Sequence, residues 1–143
     1  MKPEEINIYR DIQKNTEMAM KAIDSLSDKI YEDDFALQIS RQALKYSDIH
    51  NKAVDKLLTA KAEPLRQNYL ADMMLKSSVH MNTMFNTSTS HIAEMMIEGS
   101  NRGITRLYKS MNHNGIKDSF SVELAKELMD FEEKNINIMK KYL

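Results

Sequence analysis

Lines of mostly apolar residues recur at helical spacing, and two of them cover the first half of the chain. The first line steps by four and three through Ile8, Ile12, Thr16, Ala19, Ile23, Leu26 and Ile30. The second runs through Phe35, Ile39, Ala43, Tyr46, Ile49, Ala53 and Leu57. Such steps place side chains on one face of a helix, so the pattern predicts helices over 4–30 and 35–60. Pro3 is tolerated in the first turn of the first helix, and the acidic run 32–34 offers a cap for the second.

Two more helices are predicted near the carboxyl end. One follows Ile92, Met96, Gly99, Gly103 and Leu107. It should span about 91–112 and stop before Gly115, which can adopt the left-handed C-terminal cap. The other is capped by Asp118 or Ser119. Its line continues to the last residue through Val122, Ala125, Met129, Glu132, Ile136, Met139 and Leu143.

The middle of the chain leaves two possibilities open. Pro64 suits the first turn of a third helix, whose line reads Leu70, Met74, Ser77, Met81 and Met84. The residues 86–90, Asn-Thr-Ser-Thr-Ser, prefer caps and turns, so we predict a break there. An unbroken helix over 65–112 would instead be roughly 70 Å long, and a second chain would have to cover its overhang.

The lengths of the helices predict the fold class. The four long helices measure about 33 to 39 Å at 1.5 Å per residue, which suits side-by-side packing. Only three glycines and two prolines occur, where average usage gives about 17 in a chain of this length. We therefore predict an all-α protein, with residues 1–143 forming one antiparallel four-helix bundle and an additional central helix segment.

Charge and composition narrow the function. Twenty basic residues nearly balance 21 acidic ones. The chain therefore has no excess of positive charge with which to bind nucleic acid or an anionic membrane. The chain has no cysteine, no signal-peptide-like apolar run and no membrane-span-like stretch, so a cytoplasmic location is expected. Neither a Gly-x-Ser-x-Gly elbow nor a glycine-rich phosphate loop occurs, which disfavours hydrolase and nucleotide-binding functions.

Methionine and histidine suggest a possible metal site. The chain has 12 methionines, and thioethers with imidazoles can hold copper(I). The candidate ligands for copper(I) are His80, Met81, Met84, His91 and Met95. In an unbroken helix, one face would also carry His80, Met84, Thr87, His91, Glu94 and Glu98. The alternative is that the methionines fill an irregular core and this stripe is a solvated surface.

Glu132 is unusual because it lies on the apolar line of the last helix, where a carboxylate is costly unless it is paired or binds a ligand. It completes the candidate metal set of His80, Met84, His91, Glu94, Glu98 and Glu132. A di-iron site would need Glu-x-x-His pairs, and the sequence has none. The alternative is a shallow position at the edge of the bundle, paired with Lys52 or Lys56.

Two histidines and one pair of glycines are interpreted as structural residues. His50 lies near the apolar face of the second helix and is expected to be a hydrogen-bonded structural histidine. His113 should be solvated or capping. Gly99 and Gly103 lack Cβ atoms, so a neighbouring helix could approach the fourth helix closely there.

The last third of the chain is similar to a ferritin-like bacterial family of unknown function. Its members carry Met-Ile-x-His-His-x-x-Ala-Val and, later, Gln-x-x-Glu-Ile-x-x-Met-x-x-Trp-Leu. The matching segments here are 96–104, Met-Ile-Glu-Gly-Ser-Asn-Arg-Gly-Ile, and 132–143, which ends Met-Lys-Lys-Tyr-Leu. The resemblance implies the bundle fold and a metal-linked ancestry. It carries over no metal site, because Gly99 and Ser100 replace the histidine pair and Asn135 replaces the glutamate.

Two functions follow as hypotheses. The first is a non-enzymatic helical bundle that forms a homodimer, or binds another helical protein, through the methionines of the third helix, since methionine side chains adapt to partners. The alternative is a ferritin-like metal-binding or redox protein that uses the six candidate ligands. No other cofactor is expected.

Overall fold

The computed structural model describes residues 1–66, 68–84 and 86–143. Its helices are α1 (Pro3–Leu26), α2 (Asp33–Thr59), α3 (Tyr69–Thr83), α4 (Thr89–Asn114) and α5 (Phe120–Met139). A 3-10 turn follows α1 at Ser27–Lys29, and another follows α5 at Lys140–Tyr142. No strand occurs in these ranges, which confirms the predicted all-α class. Positions 67 and 85, which the predicted third helix spans, lie outside the described residues.

The two halves of the chain each form a helical hairpin, and the hairpins pack against each other. Between α1 and α4, the Ser110 hydroxyl donates to Asp11 and the Asn15 amide donates to the Gly103 carbonyl oxygen at 3.1 Å. Residue numbers rise along α1 while they fall along α4, so these helices are antiparallel.

A second set of contacts joins α2 to the end of the chain. The Tyr142 hydroxyl donates to Asp34, and its ring packs edge-on against Phe35 with 4.8 Å between centroids. Further along, the Asn135 amide donates to the Tyr46 hydroxyl at 3.4 Å. Helices α2 and α5 are therefore antiparallel as well.

Helix α3 belongs to a long crossover between the hairpins. The ammonium group of Lys21 lies 2.6 Å from Asp72, while Gln13 hydrogen-bonds the backbone of Leu65. Between these two contacts the residue numbers rise in the same direction on α1 and on the crossover, so the crossover runs parallel to α1. It carries the chain from the end of α2 back to the start of α4, so α2 and α4 point in the same direction.

The predicted start of the third helix at Pro64 is wrong, because α1 side chains hold the preceding linker in a non-helical form. Two guanidinium N–H groups of Arg10 donate to the Glu63 carbonyl oxygen, at 3.1 and 2.8 Å. Gln13 accepts from the Leu65 amide at 2.9 Å and donates to its carbonyl at 3.2 Å. Helix α3 begins only at Tyr69, where the Asn68 side chain caps it by accepting from the Ala71 amide.

The hydrophobic core lies between α1, α2, α4 and α5. Its largest fully buried apolar side chains are Ile8, Ile12, Phe35, Ile49, Leu57, Ile92, Leu107, Leu124, Leu128 and Met139. Burying each of these contributes on the order of 2 kcal/mol relative to exposure. Helix α3 adds only Val79 to the buried apolar residues, so the fold is built mainly by the other four helices.

The helix ends show which predicted caps form. The Ser88 hydroxyl accepts from the His91 amide, Ser119 accepts from the Val122 amide, and Gly115 adopts φ of 68° at the end of α4. These caps confirm the predicted break before residue 90 and the predicted ends of the later helices. At Glu32, the side chain makes no cap hydrogen bond, so the cap expected from the acidic run is absent.

No helix in the described residues is both long and apolar enough to cross a membrane.

Candidate functional site

Helix α3 turns its predicted apolar line away from the core. Its inward residues are Leu75, Val79 and Thr83, while Asp72 is held by Lys21. We call the opposite side the outer face of α3; its large apolar side chains are between 54% and 73% exposed. They are Tyr69, Leu70, Met73, Met74, Met81 and Met84.

A cavity of about 340 Å³ lies between α1, α3 and α4, and we call it the inner cavity. Its walls are formed by Ala19, Ala22 and Ile23 from α1, Leu75 and Val79 from α3, and Met95 and Met96 from α4. Tyr46 from α2 and Glu132 from α5 also line it. Both of these side chains are buried, so they form its deep end.

Glu132 is a core residue and not a surface one. It is 2% exposed, and its Oε2 atom accepts no hydrogen bond from the described residues. The predicted shallow position is therefore wrong. Lys52 pairs instead with Asp48 at 3.2 Å, and Lys56 lies over the Phe120 ring at 4.7 Å from its centroid.

Burial changes the acidity of this region. Removal from water raises the pKa of Glu132 to about 7, although hydrogen bonding from the Ser100 and Tyr46 hydroxyls acts in the opposite direction. Burial, together with the nearby Glu132 charge, also raises the pKa of Tyr46 far above its usual value. The deep end of the cavity therefore holds a phenol that stays protonated and a carboxyl group that titrates near neutral pH.

Gly103 makes room for the Glu132 carboxyl group. A Cβ atom at Gly103 would lie 2.9 Å from Glu132 Oε1 and 3.2 Å from Asn15 Nδ2. The predicted close approach is confirmed here, although it involves polar side chains on α5 and α1. At Gly99 the prediction is wrong, because no neighbour lies within 4 Å of a Cβ atom there.

The rim of the inner cavity is polar. The His91 Nε2 atom lies 2.7 Å from the Asn82 carbonyl oxygen, to which it donates, so the start of α4 is tied to α3. Its other ring nitrogen lies 3.9 Å from Glu94. On the α1 side, Arg106 donates to the Met18 sulfur at 3.4 Å.

The six predicted metal ligands are only partly brought together. His91, Glu94, Glu98 and Glu132 line the inner cavity, whereas His80 and Met84 are exposed on α3 and at its end, outside the cavity wall. The stripe required an unbroken helix, and the chain breaks between α3 and α4. Within the described ranges, no three histidine, aspartate or glutamate side chains form a group that could hold a metal ion.

The remaining histidine predictions can be checked directly. His50 is half-buried, and its Nε2 atom lies 3.1 Å from Glu17 Oε1, which confirms a hydrogen-bonded structural histidine. His113 is exposed in the last turn of α4.

The polar partners of Glu132 were missed from the sequence. Ser100 and Tyr46 hydrogen-bond with its carboxyl group, Asn135 donates to the Tyr46 hydroxyl, and each of the three is less than a tenth exposed. A signal was present for two of them, because Asn135 lies one turn after Glu132 and Ser100 lies one turn before Gly103. Polar residues one helical turn from an anomalous position on an apolar line indicate a buried network.

Comparison with protein-family models matches no family, and neither the curated proteins nor the solved structures contain a match to this chain.

Proposed function

We propose that this protein is a non-enzymatic helical protein that forms a homodimer through the outer face of α3. The observation that carries the proposal is the exposure of six large apolar side chains on one short helix and its C-terminal cap residue. Exposed apolar surface of this extent marks contact sites in proteins.

The area of the outer face is sufficient for a stable contact. From their exposed fractions, its six side chains present on the order of 800 Å², which matches the roughly 800 Å² that each partner contributes to a standard interface. Four of the six are methionines, whose flexible thioethers fill irregular gaps.

The spacing of the outer face favours a second copy of this chain as its partner. Leu70, Met74, Ser77, Met81 and Met84 follow steps of four and three, the spacing by which helices pack on one another along a seam. An interface around a two-fold axis uses the same patch twice, so one face supplies both sides. The near-zero net charge of −1 adds little repulsion between copies.

The architecture that we propose for each copy is a ferritin-like four-helix bundle of α1, α2, α4 and α5. Its support is the chain path, in which one long crossover joins two antiparallel hairpins. Ferritin-like bundles have one such connection. In this arrangement α3 lies outside the bundle, which leaves its outer face free for a partner.

The dimer is tested by replacing two methionines of the outer face with lysine. Wild-type protein at tens of micromolar should have the mass of a dimer by size-exclusion chromatography with light scattering. The double variant Met74→Lys/Met81→Lys should be monomeric, because buried like charges would face each other across the two-fold axis.

Leu44→Lys is the matched control, since Leu44 is 72% exposed on α2, away from α3. It should remain dimeric, and circular dichroism should show that all variants keep their helix content. A monomeric wild type, or a dimer that Leu44→Lys disrupts and the double methionine variant does not, would refute the assignment to α3.

Metal binding remains the alternative function. Its support is that four predicted ligands line one cavity, although no three of them converge within the described residues. Elemental analysis of protein purified without chelators tests it. Stoichiometric copper, iron or zinc that is lost in the Glu132→Gln variant would favour this alternative.

A further inference from the structure

The inner cavity and the carboxyl group at its deep end play no part in the proposed contact between copies. Glu132 is 2% exposed, it lines the cavity, and its Oε2 atom has no hydrogen-bond partner in the described residues. A buried carboxyl oxygen without a partner is costly. The carboxyl group at the deep end of the cavity therefore lacks a full set of hydrogen-bond donors.

The protein itself supplies no cation to this carboxyl group. None of the ion pairs in the described part of the chain includes Glu132. Its polar neighbours Tyr46 and Ser100 are uncharged donors, and Arg106 donates to the Met18 sulfur. A bound donor that carries positive charge would neutralise the carboxylate.

Part of the cavity wall is apolar. Ala22, Ile23, Val79 and Met95 face the cavity from three helices. A ligand that fills it must therefore combine a charged end with an apolar body. The volume of about 340 Å³ lies at the lower end of the range for small-molecule sites.

We propose that the inner cavity binds a small primary ammonium ion with an apolar body, whose N–H groups donate to the Glu132 carboxyl group. The apolar body packs on the walls from α1, α3 and α4. The rim carries Arg102 and Arg106 as well as Glu94 and Glu98, so its charges balance and the Glu132 carboxyl group alone selects for a cation. Gly103 leaves room for the carboxyl group, because a side chain there would collide with Glu132 Oε1.

Isothermal titration with butyl-, hexyl- and octylammonium chloride tests this proposal at constant pH and protein concentration. Hexanol and hexanoate serve as neutral and anionic counterparts of the same length. We expect saturable binding of one hexylammonium per chain, tighter than that of either counterpart. The Glu132→Gln variant should bind it at least about tenfold more weakly, since it keeps the shape and loses the charge.

Glu133→Gln is the matched control, because it removes the same charge from an exposed neighbour on the same helix. It should bind hexylammonium like the wild type. A second variant, Ala22→Leu, narrows the cavity and leaves the carboxyl group intact. It should lose octylammonium binding first, which a site on the protein surface would not do. Melting curves check that both site variants fold.

Three results would overturn the proposal. The first is no binding of any ammonium ion at millimolar concentration, which would mean that the cavity holds solvent alone. The second is equal binding by wild type and Glu132→Gln. The third is hexanol binding as tightly as hexylammonium, which would show that the cavity recognises only the apolar body.

Discussion

At the scale of single residues, Glu132 makes the stability of this protein depend on pH. Its pKa is raised from 4.5 to about 7 by burial. Between these values the folded chain holds a proton that the unfolded chain releases, so the free energy of unfolding falls as pH rises from 4.5 to 7. The loss amounts to roughly 3 kcal/mol above pH 7.

The Glu132→Gln variant should remove this dependence. Urea unfolding at one protein concentration should show a wild type that is less stable at pH 8 than at pH 5.5, whereas the variant should be nearly equal at both. Glu133→Gln should behave like the wild type, since Glu133 is exposed. A wild-type curve that is flat over this range would show that Glu132 stays ionised or is solvated.

The position of Glu132 shows what a residue pattern can and cannot predict. The sequence placed it on an apolar line, and that line is indeed the buried face of α5. Periodicity gives the face on which a residue lies but not the depth of that face or its neighbours on other helices. Tyr46 and Ser100 are 86 and 32 positions away along the chain, so only the packed structure brings them to Glu132.

At the scale of elements, the cap of α4 separates it from α3. The Ser88 hydroxyl accepts from the His91 amide at 3.2 Å, and the Ser88 amide donates to Asn86 Oδ1 at 3.0 Å. Ser88→Ala should therefore lower the free energy of unfolding by about 1 kcal/mol, the usual loss for an N-cap serine.

Ser90→Ala is the control for this cap, because Ser90 is exposed in the first turn of α4. It should change the stability by less than about 0.5 kcal/mol. Replacement of 86–90 by alanines should lower the melting temperature. An increase of several degrees would show that the chain prefers one continuous helix there.

Element boundaries were predicted well where local chemistry decides them. Ser119 and Gly115 cap helices as their residue types suggest, because a hydroxyl acceptor and a positive φ are local requirements. Tertiary contacts determine where the third helix begins. Arg10 and Gln13 hold the backbone around Pro64, and no pattern within that linker reveals partners more than 50 residues away.

Helix α3 shows a second limit of periodicity. Its line Leu70, Met74, Ser77, Met81 and Met84 is regular and more apolar than the line Leu75, Val79 and Thr83. The less apolar line nevertheless faces the protein. The pattern alone identifies the two faces of the helix. Which of them is buried depends on the surface that the rest of the chain presents for packing.

At the scale of the whole molecule, the proposed dimer should protect α3 more than any other helix. In one copy, α3 buries only Val79 and Thr83 and is joined to α1 through Lys21 and Asp72. Its amides should exchange hydrogen quickly in the monomeric Met74→Lys/Met81→Lys variant and more slowly in the wild type. Hydrogen exchange with mass spectrometry measures this difference.

The peptides of α2 provide the internal comparison. Their exchange should be the same in both proteins, because α2 packs within the copy against α1 and α5. Slower exchange of α2 and unchanged exchange of α3 in the wild type would place the contact between copies on the other side of the molecule.

The long crossover also determines the order in which the chain can fold. Each hairpin pairs helices that are adjacent in sequence, so little loop-closure entropy opposes its formation. Docking the hairpins joins residues 99 positions apart at Asp11 and Ser110, and 108 apart at Asp34 and Tyr142. We therefore expect the hairpins to form early and to dock in the slow step. Helix α3 then closes the inner cavity only after α1 and α4 have met.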